Sequence, residues 1–175
     1  MPLSADDIRT ALSALGEELA RNDDDRAELV IVGGAALVLL FQARESTRDV
    51  DAYFVRPAAS RLRDAVERVA MRLDLPADWL NDGAKGYIVG LTKGELLHQS
   101  PSLLVHAASL PQLLAMKLAA WRDAIDRADA ALLLGQLSGS REEIRAALKS
   151  FLAPHQLDKA SYALDDLWEA LHGHS

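Results

Sequence analysis

The 175-residue chain contains no cysteine. That absence excludes disulfide frameworks, thiolate metal sites and a cysteine nucleophile, so any metal must be held by oxygen or imidazole. Basic residues are also in deficit: 19 Lys and Arg stand against 26 Asp and Glu, leaving a formal charge of −7 and a pI near 5.2. Surfaces built mainly to hold nucleic acid rely on clustered cations that displace phosphate counterions, so a nucleic-acid substrate would need a local basic patch. Long apolar runs are missing too. The longest, Leu29 to Phe41, is interrupted by Gly33 and Gly34 and is too short to span a bilayer, and no basic-then-apolar leader opens the sequence. The expected location is the cytoplasm, with no membrane partner.

What remains is half apolar and about a quarter charged, enough for one compact domain or a domain with a helical appendage. Ser4 and Asp7 form a capping-box-like start, and Ile8, Leu12, Leu15 and Leu19 recur on one helical face. The acidic "RNDDDR" reads as a solvated turn and "ELVIV" as a short buried strand ending at the glycine pair. "AALVLLFQA" predicts a buried helix. In "DVDAYFV" the alternation places Asp49, Asp51 and Tyr53 on one strand face and Val50, Ala52 and Phe54 on the other. Pro57 then opens a helix whose apolar face is Leu62, Val66, Val69 and Leu73. "YIVGL" (87–91) and "SLLVHAA" (102–108) are further strand candidates, separated by the turn-rich "TKG" and "HQSP", and "WLNDGAKG" (79–86) marks a loop.

From Ser109 the pattern is helical. Ser109 can cap a helix with Pro111 in its first turn, and the pattern runs through "LLAMKLAAWRDAIDRADAALLLGQL" with room for one break. Ser140 and Glu143 have capping-box spacing ahead of Ile144, Leu148 and Phe151, and a last helix after Pro154 carries Leu164, Leu167, Trp168 and Leu171. The expected organisation is an α/β core over 1–108 and a helical portion over 109–175, packed together as one domain.

A strand that ends in Gly33-Gly34 and enters a helix exposes backbone N–H groups to a phosphate; a tight turn that merely needs small residues would look the same. Asp49 and Asp51 on one strand face can hold one or two Mg²⁺ ions; they could equally be edge-strand carboxylates balanced by Arg44, Arg48 or Arg56. Arg122, Asp126 and Asp129, spaced by four and three, share a helical face, either as a site or as a solvated ion-paired surface. In an unbroken helix Lys117 lies about half a turn from Asp126, so it joins them only if the helix bends. Arg44, Arg48, Arg56, Arg61, Arg63, Arg68 and Arg72 could make a local positive face or an ordinary solvated one. Trp79, Trp121 and Trp168 read as packing residues, "GAKG" lacks the rest of a P-loop, and His155, His172 and His174 lack ligand spacing, with "HGHS" a frayed tail.

The glycine pair followed by Arg44, Thr47, Asp49 and Asp51 resembles the signature of the polymerase-β-like nucleotidyltransferases, and more narrowly the AbiEii/AbiGii type toxins of bacterial toxin–antitoxin and phage-defence systems. A second block, Lys117, Arg122, Asp126 and Asp129, is similar to a helical motif of that group, and "WLNDGAKG" is similar to a feature of a single-domain subgroup. Together the likeness covers Leu29 to Leu134. It implies an α/β nucleotidyltransferase fold, a small mixed sheet flanked by helices with a helical C-terminal portion. It further implies transfer of a nucleoside monophosphate from a nucleoside triphosphate to an RNA (tRNA-like) or protein acceptor, with an antitoxin-like partner protein. Asp49 and Asp51 would hold Mg²⁺; Gly33 and Gly34, with Arg44, Thr47, Arg122 and Asp126, would bind the nucleotide; Lys117 would neutralise phosphate, and Asp129 or Asp126 would serve the metal or acceptor. Two departures stand out. Gly34 replaces a serine found in many relatives, and no third carboxylate is evident on a later strand, where "SLLVHAA" offers His106 and Glu95 falls outside. They leave open a catalytically weak relative that acts by binding nucleotide or a partner protein.

Overall fold

The computed structural model describes residues 1–21, 26–56 and 59–173. The acidic link after Arg21, the Pro57 helix start and the last two residues of "HGHS" lie outside the described residues. In chain order the elements are α1 (Ala5–Arg21), β1 (Ala27–Ile31), α2 (Gly33–Phe41), β2 (Val50–Arg56), α3 (Ala59–Leu73), β3 (Leu80–Asn81), β4 (Leu96–Gln99), β5 (Leu103–Ala107), α4 (Leu110–Ala120), α5 (Ala124–Gly135), α6 (Arg141–Leu148) and α7 (Leu157–His172). The chain divides into two compact units, residues 1–86 with 93–108, and residues 87–92 with 109–175.

In the first unit the expected capping box forms: the Ser4 N–H donates to Asp7 Oδ2 at 2.9 Å and the Asp7 N–H to Ser4 Oγ at 3.2 Å. Ile8, Leu12, Leu15 and Leu19 are buried along α1, as their spacing predicts. The five strands form one mixed sheet in the order β3-β2-β1-β5-β4. Every residue of β1 is buried, as a central strand covered on both faces requires. It pairs antiparallel with β2, placing Ile31 opposite Ala52, and parallel with β5. β3 runs parallel to β2 with Asn81 opposite Asp51, and β4 runs antiparallel to β5. Helix α3 is tied to α1 by Arg68 on Glu18 at 2.6 Å and by Arg72 on the Ala14 carbonyl at 3.0 Å. Trp79 is fully buried, its indole N–H donating to the Val66 carbonyl at 3.2 Å.

One strand expectation fails, and one strand stands where none was expected. "YIVGL" is no strand: residues Gly83–Tyr87 form a 3₁₀ turn and the chain beyond is irregular. Gly90 sits at φ +62°, and the carbonyls of Val89 and Gly90 accept from the amide of Gln112, a nearly fully buried side chain. The same Gln112 accepts from the Thr92 N–H at 3.0 Å and hydroxyl at 2.6 Å. One side chain thus answers backbone groups that a neighbouring strand would otherwise take. Conversely, β4 runs into the stretch "HQSP" (98–101) that reads as a turn, sharing His98 and Gln99 with it, and is closed onto β5 by a turn in which the Ser100 N–H donates to the Leu103 carbonyl at 2.8 Å.

The second unit contains α4 to α7, with Leu113, Leu114, Leu118, Leu133, Leu134, Ile144, Leu148, Leu164 and Leu167 in its core. Ser109 caps α4 with Pro111 in the first turn, and Ser140 and Glu143 complete a capping box on α6. The long helical pattern does break once. Trp121 takes a left-handed conformation (φ 39°) that ends α4, and Asp123 caps α5 by accepting from the Asp126 N–H at 2.9 Å. No helix among the described residues is long and apolar enough to cross a membrane.

Candidate functional site

The sheet delivers the glycine pair and the two aspartates to one place. After β1, Val32 stays extended (φ −123°, ψ 179°), its N–H donates to the Asp51 carbonyl at 2.9 Å, and Gly33 turns into α2 at φ +64°. A side chain at Gly33 would be strained, and its Cβ would stand 3.6 Å from Asp51 Oδ2. The N-cap residue of α2, Val32, makes no side-chain cap bond, so the first turn of the helix begins near Asp51 without a cap from that position.

Gly34 has a different reason. A Cβ there would lie 2.6 Å from Nη2 of Arg44 and 3.1 Å from Oγ1 of Thr47, so the glycine leaves the space that these side chains occupy. Thr47 is itself clamped: it exchanges backbone hydrogen bonds of 2.7 and 2.9 Å with the fully buried Leu3, and its hydroxyl donates to the Asp49 carbonyl at 3.3 Å. The serine expected at position 34 is thus replaced by a seated guanidinium. Gly34→Ser should displace Arg44 and weaken nucleotide binding about tenfold, the worth of one charge-assisted hydrogen bond, with little change in melting temperature. Tighter binding by the variant would show that a hydroxyl was simply missing.

Asp49 and Asp51 are both half-buried at the head of β2, while Val50 and Ala52 between and after them are fully buried, as the alternation predicts. Burial pushes the Asp51 carboxyl up, the charge of Asp49 pushes it further, and the Asn81 amide acts the other way. Sequence reasoning missed Asn81. Its Nδ2 donates to Asp49 Oδ2 at 3.3 Å, and its Oδ1 accepts from the Gly83 N–H at 2.8 Å. The only local signal is that it follows Trp79 and Leu80, both buried, at the start of "NDG". His106 does not join this group: it lies two strands from β2 with Nδ1 on the Gly94 carbonyl at 3.1 Å.

Two carboxylates adjacent on one strand face are the kind of oxygen donors that a divalent cation takes. Among the described residues no set of three carboxylate, imidazole or thiolate ligands is gathered. The donor set therefore fits Mg²⁺ shared with a polyphosphate, which needs only one or two carboxylates from the protein, better than a cage built wholly of side chains.

The second block of residues meets within the second unit. The break at Trp121 lets Lys117 reach across to α5, where Nζ lies 3.0 Å from Asp126 Oδ1 and 2.7 Å from Asp129 Oδ2. Arg122 adds its backbone N–H and Nε, both 3.1 Å from Asp126 Oδ2. These are not solvated pairs: the side chains of Lys117, Asp126 and Asp129 are 12%, 3% and 6% exposed, whereas Arg122 is 74% exposed. Burial alone would raise the Asp126 carboxyl, but Arg122 and Lys117 outweigh it and hold the group at about 2. Because the folded value is below the ordinary 3.8, this stabilisation is whole above that pH and is lost as pH falls towards about 2. Acid titration of unfolding free energy should show a loss of about 2 kcal/mol over that window that is missing from Asp126→Asn.

Four of the seven arginines in the run are paired with acids. Arg56 pairs with Glu28 at 3.4 Å, Arg63 with Asp82 at 3.4 Å, Arg68 with Glu18 at 2.6 Å and Arg72 with Glu17 at 3.5 Å. The side chain of Arg61 lies outside the described residues, Arg44 is seated over Gly34, and Arg48 is exposed.

A mixed five-stranded sheet flanked by helices, with a glycine turn laid against a carboxylate pair on the next strand, is a nucleotidyltransferase fold. Residues 10–131 match the family described as nucleotidyltransferase of unknown function (DUF6036), and the chain belongs to that family. No curated protein and no solved structure matches it.

Proposed function

We propose that this chain transfers a nucleoside monophosphate from an Mg²⁺-bound nucleoside triphosphate to an acceptor hydroxyl or amine. The observation that supports the reading is the approach of the Gly33 backbone to Asp51 beside Asp49, which brings the start of α2 and the two carboxylates to one place. In the transfer, the acceptor oxygen or nitrogen forms a bond to the α-phosphorus, the bond to the departing pyrophosphate breaks, and the acceptor proton passes to solvent. Asp49 and Asp51 would hold the metal, which when bound neutralises phosphate charge. The α2 N–H groups orient the triphosphate, Arg44 offers a guanidinium to it, and Thr47 holds the loop that carries Arg44. Such chemistry depends on positioning and charge neutralisation more than on many reacting side chains.

The motif likeness supports placement near the AbiEii/AbiGii type toxins, with an antitoxin-like partner. Lys117, Arg122, Asp126 and Asp129 enter as a charge-balanced cluster, two cations already answered by two carboxylates. Among acceptors, the pairing of the arginines with acids favours a protein over a long polyanion such as tRNA. Incubation with Mg²⁺, each α-³²P-labelled nucleoside triphosphate, bulk tRNA and a lysate tests all of this. Label should appear on a protein band and be absent with Asp51→Asn; label on tRNA would reverse the acceptor assignment, and no label on either would oppose transfer.

A second reading, nucleotide or partner binding without transfer, is favoured by one observation: the residue of β3 in register with Asp51 is the neutral Asn81. Nucleotide binding with no labelled product under any acceptor would select it.

A further inference from the structure

Asn81 has a more specific consequence, which rests on the metal-nucleotide reading just given. It stands on a two-residue strand, opposite Asp51 in register, and its amide is fixed at both ends, Nδ2 on Asp49 Oδ2 at 3.3 Å and Oδ1 on the Gly83 N–H at 2.8 Å. The close fit extends to Gly83, where a Cβ would lie 2.8 Å from that Oδ1 and 3.9 Å from Asp51 Oδ1. Two bonds of opposite sense leave the amide one orientation: the NH₂ must face the carboxylate and the carbonyl must face the backbone. One oxygen of Asp49 is thereby occupied by a donor, and the third side chain beside the pair adds no negative charge.

We propose that Asn81 is a positioning residue that makes metal binding conditional on nucleotide: it holds Asp49 in place, partly satisfies it, and keeps the protein's own ligand charge too low to retain a divalent cation alone. Affinity for hard cations follows the number and charge of oxygen ligands, and a triphosphate supplies what the protein withholds. Metal and nucleotide then bind together, each strengthening the other by the same factor. A protein built this way stays metal-free until nucleotide is present.

Mn²⁺ is the probe, read by electron paramagnetic resonance of the free ion, with and without a non-hydrolysable nucleoside triphosphate. For the native protein the affinity of Mn²⁺ for the protein is expected to rise at least about tenfold when the nucleotide is bound. Asn81→Asp, of the same shape and able to keep the Gly83 N–H, should bind Mn²⁺ without nucleotide about tenfold more tightly than the native protein and show a smaller gain from nucleotide. Asn81→Ser, which removes the amide and adds no charge, should not tighten nucleotide-free Mn²⁺ binding and should weaken the joint complex. Thermal unfolding of both variants establishes that they are folded, and Asn81→Ser carries the test if Asn81→Asp is not. Equal native Mn²⁺ affinity with and without bound nucleotide, or Asn81→Asp and Asn81→Ser both indistinguishable from native, overturns the inference. If Asp51→Asn still abolishes nucleotide binding in that case, the metal-nucleotide reading stands without it; if the native protein binds no nucleotide at any Mn²⁺ concentration, both fall together.

Discussion

Asp51→Asn should lose Mg²⁺-dependent nucleotide affinity by about a hundredfold or more and, at the same time, melt a few degrees higher than the native protein. The two effects have one cause. Burial and the neighbouring charge of Asp49 raise the Asp51 carboxyl, so the ionised form is a cost to the folded protein at neutral pH. Replacing it by a neutral side chain of the same shape removes that cost together with the charge that the proposed metal would take. A carboxylate serving the fold would show the reverse pattern, a lower melting temperature with binding intact. Calorimetric titration of each nucleoside triphosphate with Mg²⁺, paired with thermal unfolding of the same samples, reads both. Asp64→Asn, on the exposed face of α3, is the control and should change neither. Undiminished nucleotide binding by Asp51→Asn would remove the pair from the proposed site.

The second large effect belongs to Lys117. Lys117→Met keeps the length and apolar stem of the side chain but removes the ammonium that two buried carboxylates share. Leaving buried charge without its partner costs roughly 3–5 kcal/mol, a large share of the stability of a chain this size. Asp126 retains Arg122, and Lys117→Met combined with Asp129→Asn, which removes one of the two buried charges, should recover part of the loss. Arg122→Ala offers the contrast: its side chain is 74% exposed, and the substitution should cost about 1 kcal/mol or less. Urea unfolding of the three variants checks the ranking. A loss below about 1 kcal/mol for Lys117→Met would mean that water reaches the aspartates.

How much of this could be read from the chain depends on how local each cause is. The capping pairs Ser4–Asp7 and Ser140–Glu143, the buried face of α1 and the alternation around Asp49 and Asp51 follow from spacing alone, and the structure shows them. The meeting of Lys117 with Asp126 required a break that the sequence permitted but did not locate; Trp121 makes it by adopting a left-handed conformation unusual for a large aromatic residue. "YIVGL" has strand-like residues but loses its carbonyls to Gln112, more than twenty positions away, and no local pattern reports such a partner. β4 escaped notice because an edge strand with mixed exposure lacks alternation. Asn81 was hidden for a related reason: its role comes from register against β2 across a two-residue strand, too short to leave a period.

The path of the chain between its two units bears on how this protein can be divided. It leaves the sheet for residues 87–92, returns for β4 and β5, and leaves again at Ser109. A shortened protein ending at residue 108 would keep every strand and both aspartates yet strip Gln112 from Thr92 and from the carbonyls of Val89 and Gly90. Recombination at a single crossover could not exchange the helical unit cleanly, because six of its residues are encoded upstream of the last two strands. No single cut along the chain, at the bench or in a genome, therefore leaves both units whole.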